Sequence, residues 1–204
     1  MSRRLEVIRL SLAYQPVLLA VVVVLAGAAL VLANRVTHEP IARAEADDRR
    51  QMLSQVVPAE LPDNDLLADV VTVDGPRGKP LRVHLARRDG RVVAAAFETV
   101  GRGYAGDIVL LMAVDADGRV LGVRVLRHQE TPGLGDKIEI AKNPWIDGFA
   151  GRTLASGGWA VKKDGGEFDA FAGATITPRA VVKAVHEGLQ FFQSRRNTIL
   201  GAKP

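Results

Sequence analysis

A threonine hydroxyl set among small residues just ahead of a helix can carry a phosphate ester, and residues 169–177, DAFAGATIT, have that pattern. Gly173 and Ala174 precede Thr175 and leave room for a bulky group to approach the backbone. Thr177 followed by Pro178 reads as a helix start, with Thr177 as N-cap and Pro178 at the first helical position. The first turn of a helix presents free N–H groups and the positive end of a dipole, so a phosphate is favoured there. Lys162, Lys163 and Arg179 are close enough in sequence to add positive charge. The same residues also suit a capped loop that binds nothing, since Thr and Gly are common before helices. On the residues alone both readings stay open.

A second stretch with chemical potential is ETPGLG, residues 130–135. A stiff Pro132 beside two glycines can bring backbone N–H groups and the Leu134 side chain against a flat ring, or it can be a plain turn. Tyr104 is open to two readings, a stacking partner or a core residue. His128 reads as a polar residue at a strand end, Trp145 as packing, and Asp74-Gly75 and Asp117-Gly118 as turns.

The composition narrows the chemistry. With no cysteine in 204 residues there is no disulfide, thiolate cluster or cysteine zinc site, so a redox centre must be organic or use other ligands. His38, His84, His128 and His186 form no ligand-spaced pair, and no metal is expected. The net charge of +4 is small, its cations are interleaved with acids and aromatics are scarce, which is no nucleic-acid footprint. No G-x-G-x-x-G opens a helix after a strand, so the chain itself should not bind NAD.

The elements that must position Thr175 follow from periodicity. From Val70 the pattern alternates: Leu81, Val83 and Leu85 against Arg82 and His84, a turn at Asp89-Gly90, then a strand over 91–100. A second hairpin joins 108–114 to 120–126 through Asp115 and Gly118. Residues 131–151 read as long loops around a short helix. Over 178–193, Val181, Ala184, Val185, Gly188 and Phe192 share one helical face. The fold class is α+β, mostly antiparallel, ending in an amphipathic helix.

Ahead of this body, residues 10–34 carry no charge and are long enough as a helix to cross a hydrocarbon core of roughly 30 Å. A cleaved signal peptide is the alternative, with Ala26-Gly27-Ala28 as its cleavage site, but the apolar run continues past it to Ala33. Residues 1–9 form a short basic tail and 35–58 a helical stalk, with Ile41, Ala44, Met52, Leu53 and Val56 at helical spacing, packed on partner chains or on the domain. The domain is expected over 59–195 and a tail over 196–204. Charge alone is close to a tie on orientation. The short basic tail favours a cytoplasmic N-terminus, with the following domain translocated.

Asp169, Gly173, Ala174 and Thr175 resemble the D-x-x-x-G-A-[ST] flavinylation signal of membrane redox proteins. VKKDGGEFDAFAGATITP (161–178) and HQETPGLGDKI (128–138) resemble the G subunit of the Rnf (Rsx) ion-translocating electron-transport complex. Gly103-Tyr104, Asp107-Ile108 and Pro144-Trp145-Ile146 fit as well, and the likeness extends over nearly the whole chain. The resemblance implies FMN joined by a phosphoester to Thr175, installed by a Mg-dependent flavin transferase that takes FMN from FAD. Asp169 would serve transferase recognition, or be a carboxylate in a turn. Gly173, Ala174, Thr177, Glu130, Thr131, Leu134, Gly135, Tyr104 and Lys162 would contact the cofactor, and no residue would be catalytic. The implied function is electron relay within a ferredoxin:NAD translocase that moves Na⁺ or H⁺. The implied partners are the other Rnf subunits and membrane lipid, with the domain on the periplasmic side of a bacterial inner membrane. The single span has no intramembrane charge, which leaves ion movement to the rest of the complex. The competing readings are the equivalent subunit of the sodium-pumping quinone reductase, a membrane scaffold without cofactor, and a flavoprotein outside any complex.

Overall fold

The computed structural model of the chain describes residues 14–202. The expected tail (1–9), the first residues of the expected span (10–13), the side chains of Ile41 and Ala44, and residues 203–204 lie outside the described residues. Helix α1 is Tyr14–Val56 and contains the apolar run. Its stretch Tyr14–Arg35 has a mean hydropathy of 2.8 and no buried residue, and it is long and apolar enough to cross a membrane. The expected span and stalk are one continuous helix rather than two elements. The chain divides into two compact units, before and after the Asp47–Asp48 bond.

The second unit is built on one antiparallel sheet of five strands, β1 (Val70–Asp74), β2 (Pro80–Arg88), β3 (Arg91–Arg102), β4 (Asp107–Asp115) and β5 (Val120–Arg127), laid side by side in sequence order. Asp89 and Gly90 both have positive φ (53° and 75°) and join β2 to β3 as a two-residue turn of the mirror-image type, whose twist suits a hairpin. At the β4–β5 turn the Asp115 carboxylate accepts the amides of Asp117 (2.9 Å) and Arg119 (2.8 Å), and Gly118 supplies the positive φ.

Side chains alternate across the sheet, and both faces are covered. On one face Ala95 and Phe97 of β3 join Leu110 and Met112 of β4. They meet Val181, Val185, Leu189 and Phe192 of the last helix, α2 (Ile176–Leu200). The predicted face of that helix is the buried one. Gly101 lets the helix close on β3, since a Cβ there would stand 2.6 Å from the Ala180 carbonyl oxygen. On the other face Ala94, Ala96, Leu111 and Ala113 pack against Leu53, Val56 and Val57 at the end of α1, with Leu61, Leu66 and Leu67 alongside. Burying a side chain such as Leu53 contributes about 1.5–3 kcal/mol. The open choice for the stalk's apolar residues is thereby resolved for Leu53 and Val56: they belong to the domain.

Helix α2 starts two residues earlier than the sequence suggests. Thr175 is its N-cap, and Thr177 is already inside the first turn. The Thr177 hydroxyl cannot cap, because it donates to the buried carboxylate of Glu130. Pro178 then occupies the third helical position, where a missing N–H still costs no helical hydrogen bond. The expected short helix within 131–151 is two 3-10 turns, Asp136–Ile138 and Pro144–Phe149.

Candidate cofactor site

The start of α2, the loop before it, the loop after β5 and the tip of the β3–β4 hairpin surround an open cleft of about 380 Å³. That lies within the range of cofactor pockets, roughly 300–1,000 Å³. Tyr104, Glu130, Thr131, Leu134, Gly135, Gly173, Ala174, Thr175, Ile176 and Thr177 line it. All but one of these stand out in the sequence as site residues. Ile176 does not, although a large apolar residue between two threonines at a helix start is a visible signal; it is 46% exposed. Tyr104 is 73% exposed, which removes the core reading.

Local geometry presents Thr175. Residues 171–174 form a tight turn closed by the Ala174 amide on the Phe171 carbonyl (3.1 Å), and Gly173 takes the φ of +79° that this turn needs. Leu134 lies over the same glycine, 3.5 Å from where its Cβ would be. Below the turn, Trp145 makes edge contacts with Phe149, Phe168 and Phe171, and its indole N–H donates to the Asp169 carbonyl (2.9 Å). Trp145 therefore packs and anchors the loop, away from the cleft lining. As N-cap, Thr175 would ordinarily turn its hydroxyl back to the helix amides, yet it makes no such bond. The amides of Ile176 and Thr177 find no protein acceptor among the described residues. Half-buried Thr175 and the two residues with free N–H groups thus line the same cleft, and a hydroxyl beside free helix amides fits a phosphate ester.

Glu130 holds the cleft together. Its carboxylate is buried and accepts the Ala105 amide (2.9 Å), the Tyr104 amide (3.3 Å) and the Thr177 hydroxyl. One side chain therefore ties the hairpin tip, the loop after β5 and the start of α2 together. Gly103 and Gly135 make room for it: a Cβ at either would fall 2.5 Å or 2.8 Å from a Glu130 atom. Behind it, His128 Nδ1 accepts the Glu130 amide (3.0 Å) while Nε2 meets Glu139 (2.8 Å). Lys142 bridges Glu139 and Asp136, each at 2.9 Å. Hydrogen bonds from Lys142 and then His128 hold Glu139 below its ordinary range, and the Gly133 amide followed by Lys142 does the same for Asp136.

The three cations near Thr175 separate into two kinds. Lys162 is paired with Asp169 (2.7 Å) and does not line the cleft. Arg179 makes two bonds to Asp164 (2.5 and 2.6 Å), which hold that carboxyl below its ordinary range. Lys163 instead points its ammonium at the Thr175 hydroxyl oxygen, 3.4 Å away. Asp169 itself is exposed at the surface before the turn.

A family model described as FMN-binding domain matches residues 103–190, which run from the tip of the β3–β4 hairpin through both loops and into α2. A protein of Cereibacter sphaeroides, named as the G subunit of an ion-translocating oxidoreductase complex, is 53% identical over 178 residues, covering 86% of this chain and 81% of that one. The protein of the same name from Stutzerimonas stutzeri is 50% identical, covering 95% of this chain and 86% of its own. Among solved structures, NqrC of Shewanella oneidensis aligns with a TM-score of 0.50 at 25% identity, over 72% of this chain and 75% of that one. The C subunit of the Na⁺-translocating NADH-quinone reductase of Parabacteroides distasonis aligns with a TM-score of 0.52 at 21% identity, over 78% and 93%, a likeness of fold. Sharing half or more of its aligned residues with relatives matched over most of their length, the chain belongs to the G-subunit family of ion-translocating oxidoreductase complexes, electron-transfer subunits of an oxidoreductase.

Proposed function

We propose that this chain is a membrane-anchored electron relay that holds FMN through a phosphoester to Thr175, within a ferredoxin:NAD oxidoreductase complex that moves Na⁺ or H⁺. The observation that carries the reading is the Thr175 hydroxyl, unengaged by its own helix, beside two free amides and a cleft of about 380 Å³. When bound, FMN supplies chemistry in one- or two-electron steps, and the protein's part is to orient and tune it. In the attachment, Thr175 Oγ forms the new bond to the phosphorus of the FMN half of FAD. The bond from that phosphorus to AMP breaks, AMP leaves, and the hydroxyl proton passes to solvent. A Mg-dependent flavin transferase performs this maturation, with exposed Asp169 available for its recognition.

The amides of Ile176 and Thr177, which have no protein acceptor among the described residues, would hold the phosphate. Leu134, Ile176 and Tyr104 offer apolar surface to a flat ring, and Thr131 and Gly135 border it. The covalent tether matters on the periplasmic side of the inner membrane, where lost flavin is not readily replaced. Residues 14–35 anchor the chain as a single span with a cytoplasmic N-terminus, in contact with lipid and with the rest of the complex.

In-gel flavin fluorescence tests the reading. The chain expressed with the transferase should give a fluorescent band after denaturing electrophoresis. Thr175→Ala should give a dark band with an unchanged circular dichroism spectrum. Thr175→Ser, which keeps the nucleophile, should retain part of the signal. An equally bright Thr175→Ala band would overturn the attachment.

A further inference from the structure

Lys162, Lys163 and Arg179 stand close to Thr175, and only one of them is available to a ligand there. Lys162 is held by Asp169 at 2.7 Å, and Arg179 by both oxygens of Asp164. Lys163 has no carboxylate within 4 Å among the described residues, and its one hydrogen bond is to the Thr175 oxygen, at 3.4 Å. The 3-10 turn Lys162–Asp164 sends the two lysines in different directions, and Gly165 ends it in the left-handed region (φ 82°). The Arg179–Asp164 pair fixes this turn against α2, so Lys163 is carried on a braced element.

We propose that Lys163 is the counter-ion of the phosphoester on Thr175: a positioning residue that neutralises the single charge left on the phosphate and holds it against the start of α2. Lys162 and Arg179 form the frame. The assignment rests on attachment at Thr175. An ammonium paired with a fixed anion is withdrawn from an incoming acyl donor, and an exposed ion pair contributes about 0.2–1 kcal/mol, so the pair should slow acylation of Lys163 roughly two- to fivefold.

The test is competitive labelling of the full chain, solubilised in mild detergent after expression with the transferase, using acetyl N-hydroxysuccinimide ester and peptide mapping. Thr175→Ala provides the flavin-free reference, and the exposed Lys183 provides an internal standard. Intact mass first establishes the adduct. Slower labelling of Lys163 in the flavin-bearing chain, with Lys162 and Lys183 unchanged, is the expected result. At 1 M NaCl, where the screening length falls to about 3 Å, most of the protection should be lost. Equal labelling of Lys163 with and without the adduct overturns the assignment and leaves attachment intact. So does protection that 1 M salt leaves unchanged, because the ring would then merely cover the lysine. An absent adduct overturns attachment, and this assignment with it.

Discussion

Glu130 reads from the sequence as a residue that touches a cofactor, and the structure gives it a second task. Its buried carboxylate satisfies two amides and a hydroxyl from segments far apart in sequence, one of them 47 residues away. Glu130→Ala leaves all three donors without an acceptor, at about 1–3 kcal/mol for each unpaired buried group less whatever water recovers. We expect a loss of about 2–4 kcal/mol in urea unfolding of the flavin-free chain. Thr177→Val, which removes one donor and keeps the shape, should cost about 1 kcal/mol. If both variants unfold with the parent, Glu130 is a surface contact and no clamp. At this scale the types of the site residues were legible and their partners were not. A sequence places Lys162 and Lys163 side by side, whereas the 3-10 turn decides which of them reaches Thr175. Likewise Thr177-Pro178 has the look of a cap, and only a partner from another loop moves the helix start back to Thr175.

Among the elements, the strands were the easiest to read. Leu81, Val83 and Leu85 alternate with polar residues, and Asp89-Gly90 has the φ signs that a tight hairpin needs. The Ala94-Ala95-Ala96 run hides more, because small residues on both faces give no period. It marks a sheet covered twice, by α2 and by the end of α1. The segment between α1 and β1 is held to that second face in part through His84, whose Nδ1–H donates to the Leu66 carbonyl (2.8 Å). Burial lowers the pKa of this imidazole, against the opposite pull of the Leu66 bond. The unfolded chain, with an ordinary value of about 6.5, therefore takes up this proton at a higher pH than the folded chain does. His84 contributes full stability above about 6.5, and the contribution declines as pH falls towards the lowered folded value. Urea midpoints measured from pH 7 to pH 5 should fall more steeply for the parent than for His84→Gln. Parallel slopes would show that the imidazole titrates alike in both states.

For the whole molecule, an apolar helix, a two-faced sheet and a closing helix meet the requirements of one task. Under the proposed function, that task is to present a single hydroxyl, at a helix start, to a cleft that takes a flat cofactor. The fold class was readable from periodicity, because each hairpin is local. The cleft was not, since it forms where three segments distant in sequence meet around Glu130. Two threonine hydroxyls stand near the cleft, and the proposed attachment uses one of them. Thr177 is buried with its hydroxyl engaged, while Thr175 is half-buried and free of its helix. Trypsin releases both in one peptide, residues 164–179. Tandem mass spectrometry of that peptide from the mature chain is the direct test. The expected result is an FMN phosphoester on Thr175 and an unmodified Thr177. A flavin mass on any other residue, or a bare peptide from flavin-bearing protein, would contradict it.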